Sequence, residues 1–284
     1  MTKASAKSKS IVDDPESPIT TRAEERQVEQ RAAIGAAVVY ETVRLEGEDE
    51  LVRPLSALAW SGLAAGLSIG FSLLAEAFLT AHLPDAPWRP LIARSGYCLG
   101  FLIVILGRQQ LFTENTLTVV LPLLLHKDAK TFLHVARLWT IVLSANLLGT
   151  AIFGLVIARI PIFDPAIEKS IADIAAAHWG LGFGTIFLRA VFAGWLIALM
   201  VWMLPGADSS RVAIIIIVTY VIGIGSLSHI IAGSTNIFYL VASGHVSLLR
   251  YFTNFFTPAL LGNIIGGVSL VAALAHGQVI GGKK

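Results

Sequence analysis

The feature that most constrains this chain is a pair of polar interruptions within long apolar segments. Residues 107–116 interrupt an apolar run over 91–125, and residues 226–236 interrupt another over 212–241. A polar backbone break inside a bilayer is costly unless it lines a water-filled cavity or is buried in protein. Two such breaks at matching places in two halves of a chain point to a transport site.

The composition indicates a membrane protein. Hydrophobic residues make up 55% of the chain, charged residues only 14%, and the mean hydropathy is +0.72. Several segments approach the roughly 20 apolar residues that cross a hydrocarbon layer of ~30 Å. The net charge of +2 gives no reason to expect a nucleic-acid partner. The single cysteine, Cys98, supports neither a disulfide nor a metal site, so we expect no metal or cofactor.

The chain divides into four parts. The composition of residues 1–21 predicts a disordered cytoplasmic tail, without the apolar region of a cleavable signal peptide. Residues 22–53 predict an amphipathic cytoplasmic helix, on the membrane or against the bundle, followed by an acidic connector. A solvated helix that packs nowhere is the alternative. Residues 54–276 form a six-span pore domain, and 277–284 a short cytoplasmic tail.

The spans form an inverted repeat. In chain order we expect spans at 54–80, 91–125 (broken at 107–115), 132–158, 181–204, 212–241 (broken at 226–236) and 254–275. An Asn-x-x-Gly motif begins at Asn146 in the third span and at Asn263 in the sixth. Because each half has three spans, the second half must cross the membrane in the opposite direction to the first. The two breaks therefore meet from opposite sides near the midplane.

Basic residues set the expected orientation. They are concentrated in the connection 126–137, ahead of the first and fifth spans, and at the C-terminus. Because Lys and Arg favour the cytoplasmic side, we expect both termini there, in the cell (inner) membrane.

Each break exposes the N-terminus of a half-helix. These half-helices are expected to start near Glu114 and Ser234, where free backbone N–H groups and the macrodipole favour an anion. The hydroxyls of Thr113 and Ser234 add donors. The pocket therefore suits a small anion better than a cation.

His229 is the main candidate because it lies in the interior of an apolar span. Imidazole binds or releases a proton near neutral pH. In a narrow pore it could protonate a weak-acid anion, which could then cross an apolar constriction as the neutral acid. The alternative is a neutral histidine that fills space between helices.

Further residues are secondary candidates. Leu111, Phe112 and Phe101 could form the apolar constriction, although such residues in a span are mostly core or lipid-facing. Intramembrane charges mark functional sites by default. The charged candidates are Arg108, Glu114, Glu76 and Arg189. A structural pair that involves Arg108 is the simpler interpretation. Arg189 could attract anions or bridge subunits, although a structural role is favoured.

The chain resembles the formate–nitrite transporter family over residues 35–280. Its first signature is matched by Leu111–Thr116, and its second by Ser228, His229 and the Ile-Ile-Ala that follows. The stretch from Arg189 to Met203 resembles its fourth-span motif, and Leu261–Gly267 its sixth-span motif.

This resemblance implies an aquaporin-like protomer with its own pore, assembled as a homopentamer in the lipid bilayer. It implies passage of small monovalent anions such as formate or nitrite, possibly with a proton. Thr113 falls in the loop of the second span, Leu111 in an apolar constriction and His229 at the central proton relay. Phe101 and Ile222 fall where other constriction residues lie.

Several positions depart from the family pattern. Ser228 replaces an acidic neighbour of the histidine, and Gly233 replaces an asparagine. Glu114 stands where a small Ser or Gly is usual, His178 where a lysine often precedes the fourth span, and Gly194 where a pore-lining asparagine falls. The cargo therefore stays open.

We expect a channel or secondary transporter for a small monovalent anion, linked to protons through His229. An aquaporin-like channel for neutral solutes is the first alternative, although the Asn-Pro-Ala pair is absent from the sequence. A non-transporting membrane scaffold or sensor is the second. We expect no enzyme, because the sequence shows no nucleophile–base pair.

Overall fold

The computed structural model describes residues 10–14, 16–31 and 34–281. Every regular element in these ranges is helical, which confirms the all-α expectation. The chain forms two compact units, one up to Ala36 and one from Ala37 onwards.

The first unit holds one turn of 3-10 helix, Ile11–Asp13, and helix α1, Arg22–Arg31. A capping box starts α1: the Glu24 backbone N–H donates to the Thr21 hydroxyl at 3.2 Å, and the Thr21 N–H donates to the Glu24 carboxylate at 3.0 Å. The region expected to be a disordered tail thus contains a helical turn, while residues 1–9 and 15 lie outside the described residues.

The second unit contains the pore domain. Its helices up to the third span are α2 (Ala36–Val52), α3 (Leu55–Ile69), α4 (Phe71–His82), α5 (Arg89–Ala93), α6 (Cys98–Leu106), α7 (Asn115–Thr118), α8 (Val120–His126) and α9 (Ala129–Arg159). The later helices are α10 (Pro165–Ala177), α11 (Phe183–Met203), α12 (Arg211–Ile224), α13 (Ile230–Ala242), α14 (Leu248–Tyr251), α15 (Thr257–Ile264) and α16 (Ala273–Gly281). Short 3-10 segments are Arg94–Tyr97, Leu204–Gly206 and Asp208–Ser210, and π-helical segments are Phe252–Phe256 and Ile265–Ala272.

Within the described residues, five continuous helical stretches are long and apolar enough to cross a membrane. They are Leu55–His82, Arg89–Leu106, Ala129–Arg159, Phe183–Gly206 and Leu248–Val279. Three shorter apolar stretches are Asn115–His126, Arg211–Ile224 and Ile230–Ala242. The second and fifth spans are therefore discontinuous, and the arrangement fits the expected six spans.

The second break is shorter than expected. It covers residues 225–229, and α13 begins at Ile230 rather than near Ser234. His229 is the reason, because its ring accepts the Ala232 N–H and caps the helix. Ser234 therefore lies inside α13, where its hydroxyl bonds the Ile230 carbonyl oxygen at 2.5 Å and the Tyr251 hydroxyl at 2.9 Å. The expectation that Ser234 is a donor at a helix start was wrong.

Three other boundaries differ from the expectation. The acidic residues 46–52 continue α2 instead of forming a connector, supported by the pairing of Arg44 with Glu41 and Glu48 along the helix. An additional helix, α10, links the third and fourth spans. The last helix, α16, continues to Gly281, beyond the expected end of the pore domain at 276.

Each half packs its first span on its third, α3 on α9 and α11 on α15. Glycines allow both contacts. A Cβ added at Gly66 would lie 2.2 Å from the Asn146 carbonyl oxygen, and one at Gly194 would lie 2.4 Å from that of Asn263. Gly194, at the family's pore asparagine position, therefore packs against a helix backbone and has no space for a larger side chain.

Candidate functional site

The two breaks begin with the same backbone geometry. Arg108 in the first break and Ser226 in the second both have a left-handed conformation, with φ of 52° and 49°. The next residue in each break donates its N–H to a carbonyl in the preceding helix, Gln109 to Val104 and Leu227 to Ile222, both at 3.0 Å. This geometry ends each helix and turns the chain into the loop.

A buried asparagine holds each break in place. Asn146 accepts a hydrogen bond from the Phe112 N–H at 2.9 Å and donates to the carbonyl oxygens of Gln110 and Gly62 at 2.8 and 2.7 Å. It joins the first break to the first span, and it satisfies the Phe112 N–H and the Gln110 carbonyl oxygen, which lie outside any helix.

Asn263 makes the matching bonds in the second half. It accepts from the Ile230 N–H at 2.8 Å and donates to the carbonyl oxygens of Ser228 and Ala190 at 3.0 and 2.8 Å. Leu111 and His229 therefore occupy equivalent positions, each between the two residues that its asparagine binds.

The two breaks meet where Thr113 contacts His229. The Thr113 hydroxyl lies 2.8 Å from Nε2 of His229, and both residues are almost fully buried. Nδ1 of the ring accepts the Ala232 N–H at 3.2 Å. Because Nδ1 is an acceptor, a neutral ring carries its proton on Nε2 and donates it to the Thr113 hydroxyl. The expected central histidine is therefore bonded to the expected threonine.

Apolar side chains surround this pair. Phe101 packs edge-on against the His229 ring with centroids 5.0 Å apart. Leu111 and Ile222 are fully buried and belong to the same apolar cluster as Phe101. Of the expected constriction residues, Phe101 therefore contacts the imidazole directly, and Leu111 and Ile222 share its apolar core cluster.

The sixth span positions Thr113 indirectly. The Thr116 hydroxyl donates to the Thr113 carbonyl oxygen at 2.7 Å. Gly267, in a π-helical segment, lies so close that an added Cβ would be 2.0 Å from the Thr116 oxygen. Sequence reasoning did not assign a role to Thr116, Asn146 or Asn263, although the repeated Asn-x-x-Gly motif was a signal for the asparagines.

Three secondary candidates have other environments. Phe112 packs on Trp139 with ring centroids 5.6 Å apart, and its N–H is held by Asn146. Ser228 contributes its carbonyl oxygen to Asn263. Arg108 has a 76% exposed side chain that approaches Glu46 at 3.8 Å, so it is a surface residue rather than a buried intramembrane charge.

His178 caps the end of α10, where its Nδ1 lies 2.9 Å from the Ile174 carbonyl oxygen. Burial lowers the pKa of His178, and the positive charges of Arg94 and Arg189 lower it further. Arg189 lies half-buried on α11. Arg94 forms a 2.8 Å ion pair with buried Glu76, a pairing that the sequence did not predict.

A cavity of about 230 Å³ opens beside the first break; we call it the α2 mouth. Its charged lining residues are Glu46, Asp49, Glu50, Arg108, Glu114 and Arg211. Over the described residues, no group of three His, Cys, Asp or Glu side chains is placed to hold a metal ion. The site as a whole can therefore bind a small solute by hydrogen bonds and move a proton, at a point enclosed by hydrocarbon side chains.

Comparison with known proteins identifies relatives along nearly the whole pore domain. The sequence profile described as formate/nitrite transporter matches residues 37–277. The chain is 39% identical to the Inner membrane protein YfdC of Escherichia coli (strain K12), over 88% of this chain and 81% of that protein. It is 24% identical to the Formate channel BtFdhC of Bacillus thuringiensis, over 82% and 91%.

Two solved structures share the fold. A chain described as a pentameric formate channel with formate bound has a TM-score of 0.64 at 20% identity, over 81% of this chain and 96% of that chain. An FNT family ion channel has a TM-score of 0.66 at 19% identity, over 84% and 94%. The fold of this chain therefore has experimental representatives.

Proposed function

The chain belongs to the formate/nitrite transporter family, and on that premise we propose that it carries a small monovalent anion of a weak acid, together with a proton, past Thr113 and His229. Formate is the first cargo to test, because relatives bear that substrate in their names. The observation that carries the proposal is the 2.8 Å contact between the Thr113 hydroxyl and Nε2 of His229, which joins the two breaks.

The apolar surroundings explain why a proton is needed. Phe101, Leu111 and Ile222 offer no hydrogen-bonding side chain to an anion that leaves water. Transfer of an isolated carboxylate into such surroundings is far more costly than transfer of a neutral acid. The neutral acid therefore crosses the constriction more easily than the anion.

His229 supplies the proton in this scheme. The ring first takes a proton at Nδ1, which breaks its bond to the Ala232 N–H. The resulting imidazolium gives its Nε2 proton to the Thr113 hydroxyl, which passes its own proton to the anion, and the neutral ring that remains carries its proton on Nδ1. Loss of the Nδ1 proton to water and uptake of one at Nε2 restore the ring that accepts the Ala232 N–H. Because only this Nε2-protonated ring satisfies both bonds, the other protonation states are transient.

We further propose that the protein assembles as a homopentamer in the inner membrane, with a pore in each protomer and both termini in the cytoplasm. Large apolar side chains on the long helices, such as Leu148, Leu155 and Phe192, are exposed and need lipid or protein cover. Native mass spectrometry of the detergent-solubilised protein and reporter fusions at each terminus test these two points.

Transport assays on reconstituted vesicles test the function. We expect an inward proton gradient to drive uptake of labelled formate or nitrite by the wild type, and His229→Ala to abolish it. His245→Ala is the matched control, because its imidazole is exposed at the end of α13, outside the breaks. Anion uptake that survives in folded His229→Ala protein, or uptake of neutral solutes alone, would overturn the proposal.

A further inference from the structure

The α2 mouth has more negative than positive groups. On the proposed function, it is the entrance that an anion takes to the first break. Four carboxyl side chains line the cavity, three on α2 and that of Glu114, against the guanidinium groups of Arg108 and Arg211. Like charges repel an approaching anion most strongly where water is restricted. The mouth of an anion pathway is therefore poorly suited to anions when all of these groups are ionised.

Glu114 is the member of this set closest in sequence to the central pair. It directly follows Thr113, and its backbone N–H is held by the Leu111 carbonyl oxygen at 3.1 Å. The same turn therefore fixes Leu111, Thr113 and Glu114. A charge on this carboxyl therefore lies both at the cavity and one residue from Thr113.

The Glu114 carboxyl is not neutralised by a bonded partner on the buried side. Its Oε1 is buried and has no hydrogen-bond partner among the described residues. The nearby guanidinium of Arg108 instead approaches Glu46, at 3.8 Å. A negative charge on Oε1 is thus not compensated by any hydrogen bond among the described residues.

We propose that Glu114 is a specificity-determining residue of the α2 mouth: its ionised carboxylate keeps anions away from Thr113, and its protonation admits them. The proposal rests on the proposed function and deepens it, because it places a second proton-dependent step ahead of His229. It also explains why an acidic residue can stand where the family pattern has a small one.

Other charges act on the same cavity and must be included in any test. Glu46, Asp49 and Glu50 face it from α2, Arg108 from the first break and Arg211 from the start of α12. Glu46 is the most useful control, because its side chain is 49% exposed and its field is screened by water and salt.

Charged thiol reagents report the electrostatic potential in the α2 mouth without requiring transport. Thr118 lines the cavity, so Thr118→Cys in a Cys98→Ala background provides one reactive thiol there. Its reaction rates with anionic sulfonatoethyl and cationic trimethylammonioethyl methanethiosulfonate are compared, and their ratio is independent of the thiolate fraction. We expect Glu114→Gln to lower the cation-to-anion rate ratio by about tenfold near neutral pH.

The pH dependence identifies the carboxyl as the cause. In protein that retains Glu114, the ratio should fall with decreasing pH until it meets that of Glu114→Gln, whereas Glu46→Gln should change it less. A ratio unaltered by Glu114→Gln, or a difference that persists unchanged at acidic pH, would overturn the proposal. These results hold whether or not vesicles take up any anion.

Vesicle flux then connects the mouth to transport. We expect Glu114→Gln to raise anion uptake through this side at neutral pH, and the advantage over wild type to vanish at acidic pH. Equal uptake by both proteins at every pH would contradict a role in specificity. If no variant passes any anion while the labelling behaves as expected, the proposed function fails. The effect of the Glu114 charge on the electrostatic potential of the α2 mouth then still stands.

Discussion

Asn146 and Asn263 make matching sets of three hydrogen bonds, one set at each break. Each amide accepts one backbone N–H of its break and donates to one carbonyl oxygen there and one in a neighbouring span. The side chains stand in for the backbone bonds that the broken helices lack. These two asparagines therefore maintain the geometry of the breaks, and neither side chain is titratable.

Replacing either asparagine should destabilise the protein. Asn263→Leu leaves the Ile230 N–H and the Ser228 carbonyl oxygen without partners, and each buried unsatisfied group costs about 1–3 kcal/mol. We expect Asn146→Leu and Asn263→Leu each to lower the free energy of unfolding in detergent by about 3 kcal/mol or more. Asn254→Leu, at an exposed position, is the control. Wild-type stability of either buried variant would refute the assignment.

The helix contacts beside these asparagines should reject a methyl group. Gly66→Ala and Gly194→Ala place a Cβ within 2.2 and 2.4 Å of backbone oxygens, so a helix must move. Overpacking of this kind costs about 1–3 kcal/mol, which a thermal melt detects. Gly184→Ala meets nothing within 4 Å and should melt like the wild type. Equal melting temperatures for all three variants would show that these contacts are not tight.

The Thr113 hydroxyl should be needed for flux. Thr113→Val preserves the shape but removes the bond to His229, whereas Thr113→Ser retains a hydroxyl. We expect uptake to fall at least about tenfold in the valine variant and to remain measurable in the serine variant, because a positioned proton-transfer group contributes about 10²–10⁴-fold. Thr140→Val, exposed on α9, controls for the substitution itself. Full activity of Thr113→Val would exclude the relay.

His178 should make stability depend on pH. Its pKa is lowered by burial and by Arg94 and Arg189, so the folded protein favours the neutral ring. The contribution to stability is complete above the ordinary imidazole pKa of about 6.5 and is lost as pH falls below it, because the unfolded chain then binds the proton more readily. The wild type should therefore lose more thermal stability on acidification than His178→Asn.

Melting curves between about pH 8 and pH 5 measure this difference, since that window brackets the ordinary imidazole pKa. His245→Asn is the control and should follow the wild type, because that histidine is exposed. Identical pH profiles of wild type and His178→Asn would show that the imidazole is equally accessible to protons in both states.

The accuracy of the sequence interpretation depended on how local each feature is. The first break was located correctly because Gly107, Arg108 and the polar residues after them interrupt a continuous apolar run. The start of the second was also predicted to within one residue, but its end was predicted too late, because the residues after His229 contain small and polar side chains but are helical. Their helix starts early because the His229 ring caps it, an interaction that hydropathy does not reveal.

The direction of individual side chains was harder to predict. Phe112 and Thr113 are adjacent, yet the first packs on Trp139 and the second bonds His229. In an irregular loop no helical period relates neighbouring side chains. Arg108 was a candidate intramembrane charge because it interrupts an apolar run, but its left-handed backbone conformation accompanies a largely exposed side chain.

Membrane insertion, the two discontinuous spans and the two-fold internal similarity could all be read from the residues in order, because hydropathy, length and repeated motifs are properties of contiguous segments. The pairing of Thr113 with His229, 116 positions apart, required the folded chain. So did the placing of Glu114 at a charged cavity with α2. Both depend on how opposing half-helices are held by Asn146 and Asn263, and such long-range geometry leaves no local periodic signal.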